Sequence, residues 1–325
     1  MFSFLASLLR LWPRRRVGLA LLLCGGSGLP AAGQAPAVPA AAVAAAELLP
    51  AADPPAVRTF LFQAASLTNS FKDSEALAVY QEVLKTVPAH YLALWQAAVL
   101  SVRIGNRYSD ETRKSAYFDA ARQYASRALL LRPEGGESNY AAALVLFNQA
   151  TLYRAGARLA AFRDLRSHVY LATERRPDMP EAWQLLGRWQ YRVSHYNLVE
   201  RAYSKLVLGG VPEGGNSRDA MDDLEKARAL APQNLQFCYD LARMCRYQGR
   251  RRRAIEVLRS AEAIAPLTSE DLVVSRLCRN MLPPLVRADA RRQKRLGRAR
   301  PAAPAASSAG DGPVPTGGPI SQEEP

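Results

Sequence analysis

The chain has 325 residues, of which 49% are hydrophobic and 22% charged, long enough to bury a sizeable core. Its net charge of +14 favours acidic partners or anionic surfaces, but no helix-turn-helix, finger or basic-aromatic strand motif accompanies it, which counts against nucleic acid. Three scattered histidines and four cysteines without a CxxC pair argue against a metal site or a disulfide framework, and no cofactor is expected.

At the start, Arg14, Arg15 and Arg16 precede the apolar run Val17 to Cys24, and small residues lead to Gly33 and Gln34. This is the layout of a secretory signal, residues 1–33, so the expected location is exported, periplasmic or secreted. A mitochondrial transit peptide is the alternative, because arginine is frequent and no acid precedes Glu47. The run is too short to span a bilayer, so no transmembrane helix is expected after leader removal. Residues 34–56 are an Ala/Pro-rich linker, and residues 301–325 have the composition of a disordered tail.

Between them, residues 57–285 carry a helical period and no competing strand pattern. Five prolines, Pro88, Pro133, Pro177, Pro232 and Pro266, close look-alike helices. Pattern positions, mostly small residues, recur in register before them: Ala76 with Tyr80, Ala121 with Ala128, Ala172, Ala220 with Ala227, and Ala254 with Ala261. The clearest copy begins at Pro180, where Trp183, Leu186 and Gly187 share one helix, and Ala220, Leu224 and Ala227 another. Small residues at these steps let two backbones approach while Trp183 and Leu224 fill the space between them. This spacing is the tetratricopeptide pattern, and it predicts an all-α, tetratricopeptide-like helical-repeat solenoid.

Pro232 and Pro266 stand 34 residues apart, the standard repeat length, whereas the three earlier intervals are longer. The excess falls between the two helices of a pair, so those helices are lengthened or the turn holds extra structure. In the fourth repeat the insert is expected to carry an amphipathic helix from about Leu198 to Leu208, reversed by Gly209 and Gly210. Thr268 to Asp271 reads as the start of a capping helix, with Leu272, Val273, Leu277 and Met281 as its apolar stripe, followed by a basic segment at 286–300.

The stretch Leu186-Gly-Arg-Trp-Gln-Tyr191, the pair Glu200-Arg201 and the segment Lys205 to Pro212 resemble the regulator of microtubule dynamics family, whose expanded repeat shows an LGRW start, an ER pair and a K-x-L-x-GG-x-P segment. The resemblance is specific over about 50 residues and looser from Phe71 to Pro177 and from Leu235 to Pro266. It implies the same repeat fold. It also implies association with microtubules and, for one relative, phospholipid binding. The chain departs from the family in its export-type leader, so fold transfers more safely than function.

In tetratricopeptide repeats the first helix of each pair lines the concave surface. The stripe offset by one residue from the packing stripe is Gln184, Arg188 and Tyr191 in the fourth repeat, and Tyr239, Arg243 and Arg246 in the fifth. Arginine grips carboxylates through paired hydrogen bonds, and tyrosine offers an apolar face with a polar tip. The expected function is therefore a non-catalytic scaffold holding an acidic protein or peptide in its groove. A phospholipid in an apolar chamber of the insert, lined by Leu198 and Leu206, is the runner-up. No nucleophile, base and orienting group are placed together, so no enzyme is expected. The remaining candidates read as packing or loop residues: Gly135-Gly136 as loop glycines, Glu200-Arg201 as an exposed ion pair with a buried charged pair guarding the insert as the alternative, and Cys238 and Cys245 as small core residues.

Overall fold

The computed structural model describes residues 53–299, with side chains as far as Arg295. The expected export signal, most of the linker and the tail at 301–325 lie outside these residues. Within them the chain folds into twelve α-helices and no strand. Five antiparallel pairs follow one another: α1 (Pro55–Asn69) with α2 (Asp73–Thr86), α3 (Tyr91–Arg107) with α4 (Glu111–Leu131), α5 (Gly136–Gln149) with α6 (Ala155–Arg175), α7 (Pro180–Ser194) with α9 (Ser217–Leu230), and α10 (Leu235–Tyr247) with α11 (Arg251–Glu262). Helix α8 (Leu198–Val207) is inserted inside the fourth pair, and α12 (Ser269–Ala299) covers the fifth. This is a tetratricopeptide-like solenoid.

The punctuation is chemical. Pro88, Pro133, Pro177 and Pro232 each stand two residues past the end of a second helix, where a residue without an N–H cannot continue the ladder. First helices open on side chains that accept orphan backbone N–H groups: His90 Nδ1 takes Ala93 N–H at 3.1 Å, and Asn234 Oδ1 takes Gln236 N–H at 3.0 Å. Pro180 starts α7 directly, its fixed φ already helical. Thr268 Oγ1 accepts from Asp271 N–H at 3.0 Å, and Asp271 answers by accepting from Thr268 N–H at 3.1 Å, which starts α12.

Both forms of expansion occur. The second and third pairs have second helices of 21 residues each, and the fourth adds α8. The capping helix does not stop near Leu285: it runs on through the basic segment, so Arg287 to Arg295 decorate its exposed C-terminal half.

Packing follows the repeat. Gly187 is fully committed to the helix crossing, since a Cβ there would lie 2.8 Å from the Ala220 carbonyl and 2.9 Å from Leu224 Cγ. Trp183 is not the buried aromatic of this helix: that is Trp189, which is completely buried toward α6 of the third pair and donates its indole N–H to the Phe162 carbonyl at 2.7 Å. Trp183 is half-buried, bonded to the Pro177 carbonyl at 2.9 Å and covered by the Lys226 ammonium 3.3 Å from its ring. Gly135 and Gly136 are not loop glycines: they form the N-terminus of α5, where a Cβ on Gly135 would strike the Tyr91 hydroxyl at 2.4 Å. Cys238, Cys245 and Cys278 are free thiols buried in the core of the last pair.

Candidate functional site

A pocket of about 360 Å³ opens where the first helices of the third, fourth and fifth pairs converge. Helix α7 supplies Arg188, Tyr191 and Arg192 from one face, spaced by three and four residues so that they align along the helix. Phe147 comes from α5, Arg158 and Phe162 from α6, and Asp240 and Arg243 from α10. Four guanidinium groups thus meet three aromatic rings and one carboxylate.

Two of the four arginines are stacked on aromatic rings. Arg188 lies 4.8 Å from the Phe147 ring centroid, and Arg192 lies 5.7 Å from that of Phe162 and 5.1 Å from that of Tyr196. A stacked guanidinium keeps its in-plane N–H donors free for a planar anion. Asp240 accepts from Gln184 Nε2 at 2.7 Å, while Arg188 Nε stands 3.9 Å from it, too far for a strong hydrogen bond. Arg243 has no carboxylate partner among the described residues. Burial is the main influence on Tyr191 and raises its phenol pKa, with Tyr247 adding to the rise and Arg243 opposing it, so the hydroxyl stays a neutral donor.

Glu200 closes one side. It caps α8 by accepting Asn197 N–H at 3.0 Å, with the Asn197 side chain accepting Glu200 N–H at 2.8 Å in return. Its carboxylate also receives two N–H bonds from Arg192, one of them at 3.3 Å, and lies 3.6 Å from Arg158. Burial works against its charge, but the Arg192 hydrogen bonds, the Asn197 N–H and the Arg158 charge outweigh burial and hold the carboxyl below its ordinary range. The sequence pair Glu200-Arg201 is therefore not an ion pair: Glu200 is buried on Arg192, whereas Arg201 is exposed and reaches the Ser194 carbonyl at 3.4 Å.

Of the six stripe residues, Arg188, Tyr191 and Arg243 line the pocket. Gln184 lies at its edge through Asp240. Tyr239 is half-buried against the core of the fifth pair and does not line the pocket, and Arg246 is exposed outside it. On α10 the residues that line the pocket are Asp240, Arg243 and Met244, which share only Arg243 with the expected stripe. Phe147, Arg158, Phe162 and Asp240 carried no isolated signal, because their meeting depends on three different helices. Arg192 was not among the expected stripe residues, although its position one turn beyond Arg188 is the signal that could have found it.

The insert is turned the other way from a chamber wall. Leu198 and Leu206 are 84% and 86% exposed, while Glu200 and Ser204 face inward. No helix among the described residues is long and apolar enough to cross a membrane.

A solenoid of paired helices with a basic and aromatic pocket on its first-helix face is a tetratricopeptide-type repeat protein. The family model described as regulator of microtubule dynamics protein 1-3 matches residues 60–285, and the chain belongs to that family. Regulator of microtubule dynamics protein 3 of Mus musculus is 25% identical over 185 residues, covering 55% of this chain and 38% of that protein. The Bos taurus protein of the same name is 28% identical over 137 residues, covering 40% of this chain and 29% of its own. The chain thus spans less than two-fifths of the length of these relatives. The crystal structure of a thermophilic tetratricopeptide-repeat protein of Thermus thermophilus superposes with a TM-score of 0.51 at 15% identity, covering 69% of this chain and all of that one, a likeness of fold alone.

Proposed function

We propose that this chain is a non-catalytic scaffold, exported from the cytoplasm, that binds an acidic segment of a partner protein in the pocket between its third, fourth and fifth repeats. The convergence of Arg188, Arg243 and Tyr191 from two successive first helices carries this reading, because Arg188 stacked on Phe147 and Arg243 beside it offer guanidinium donors suited to carboxylates. Aromatic walls at Phe147 and Phe162 add an apolar contact surface, as binding anchors do. A role on microtubules, which the relatives' names state for those proteins, is a second reading favoured by family membership; the export-type leader speaks against it.

The test is capture of partners by the protein lacking residues 1–33, followed by the same capture with Arg188 and Arg243 both replaced by alanine. Loss of the partner with an unchanged melting curve supports the reading, and retention of the partner by the double variant refutes it. Binding should also weaken as salt is raised.

A further inference from the structure

Two of the four pocket arginines are already occupied by a carboxylate of the chain itself. Glu200 belongs to the inserted helix and not to the repeat frame, yet its carboxylate lies on Arg192 and Arg158, both of which line the pocket. We infer that Arg158 and Arg192 form a second carboxylate subsite of the pocket, closed by Glu200, which an acidic ligand enters by displacing that carboxylate and swinging α8 aside. This rests on the acidic-segment reading above and deepens it: the ligand carries at least two carboxylates, one for Arg188 and Arg243 and one for Arg158 and Arg192.

Three independent features carry it. The subsite has unspent donors, since Arg158 Nε and the Tyr196 hydroxyl are buried and have no hydrogen-bond partner among the described residues. Helix α8 is lightly held, because within the fold it packs chiefly on α6 and leaves Leu198, Val199 and Leu206 exposed. Its C-terminal connection runs through two glycines in left-handed backbone: Gly209 and Gly210 have φ of 77° and 135°, and a Cβ on either would meet nothing within 4 Å, so no side chain there obstructs a change of path. Exchanging one carboxylate for another leaves no buried charge unpaired, so the swap avoids the cost that would follow from simply removing Glu200. The ligand then needs only a modest advantage over an internal competitor, and binding at Arg188 and Arg243 supplies it by raising the local concentration of its second carboxylate.

Glu200→Gln separates the clamp from the cap, because glutamine also serves the N3 position of a capping box but offers no charge to the arginines. The probe is a fluorescein-labelled hexaglutamate peptide, its anisotropy followed at low salt with the full chain. Glu200→Gln is expected to bind it roughly tenfold more tightly than the unaltered chain, in line with the loss of one charge-assisted competitor. Adding Arg158→Gln should abolish that gain, and in the unaltered chain the probe should raise hydrogen exchange across residues 198–207. Equal or weaker binding by Glu200→Gln, with exchange of α8 unmoved by the probe, overturns the subsite. If binding is still lost in the Arg188 and Arg243 variant, the pocket reading survives that outcome. Absence of probe binding by either protein overturns both.

Discussion

Arg107 Nε donates to Glu270 Oε1 at 2.5 Å across 163 residues of sequence, joining the end of α3 to the start of the capping helix. The same guanidinium donates through Nη2 to Asp73 Oδ2 at 2.6 Å, and the Asp73 side chain is only 3% exposed. One arginine thus ties the first pair, the second pair and the cap, so the last helix of the solenoid is anchored to its first third.

The two halves of this tie are unequal. Arg107→Ala leaves a buried carboxylate with only Arg103, 3.7 Å away, and should lower stability by about 1.5–3 kcal/mol. Glu270→Ala removes a half-exposed partner and should cost less than about 1 kcal/mol. Urea unfolding of the two variants checks the order. Small-angle scattering should show a larger radius of gyration for Arg107→Ala.

The fourth pair should be sensitive at two neighbouring positions. Gly187→Leu pushes against the Ala220 carbonyl and Leu224 and should destabilise by about 1–3 kcal/mol. Trp189→Ala empties a completely buried site and strands the Phe162 carbonyl, for a loss of about 3–5 kcal/mol. Trp183→Ala, at a half-buried position, should cost less than Trp189→Ala. Thermal melts of the three variants would show it.

Arg243 and Arg246 lie three residues apart on α10 but face different surroundings. Arg243→Ala should weaken capture of an acidic partner by at least roughly tenfold, the loss of one charge-assisted contact. Arg246→Ala should leave it within about twofold. Comparable losses from both would place the ligand on the open helix surface and not in the pocket.

Two carboxyl groups give opposite pH dependences. Glu200 titrates below its ordinary 4.5, so the clamp's stabilisation is fully present above that value and is lost as pH falls through the lower folded-state value. Burial is the chief cause that pushes Asp223 up from 3.8 to about 6, with Asp219 and Asp222 adding to it, so the folded state holds its proton more tightly than the unfolded chain. Stability should therefore decline as pH rises from about 3.8 to about 6, and Asp223→Asn should remove that decline. Glu200→Gln should flatten the acid limb instead. Melting temperatures between about pH 3 and 7 for both variants test the signs.

The repeat was legible because close helix crossings demand small residues at fixed steps. Gly187, Ala220 and Ala227 could not be large without forcing the helices apart, and the closing prolines mark where each ladder ends. The amphipathic helix of the insert was legible for the same periodic reason, yet the sign of its packing was not: Leu198 and Leu206 face outward because Glu200 found two arginines inside. Periodicity shows that a helix has two faces but not which face its neighbours will cover.

The binding pocket divides along the same line. Arg188, Tyr191 and Arg192 share one helix, and their spacing alone puts them together. Their meeting with Phe147, Arg158, Phe162 and Asp240 depends on how three pairs pack, and on the seating of α10, which leaves Tyr239 half-buried against the core and brings Asp240 to Gln184. Local spacing determines neighbours within a helix, because the backbone geometry is constant. Contacts between helices depend on side-chain volumes summed over whole interfaces, and so the Glu200 clamp and the Arg107 tie emerged only when the chain was folded.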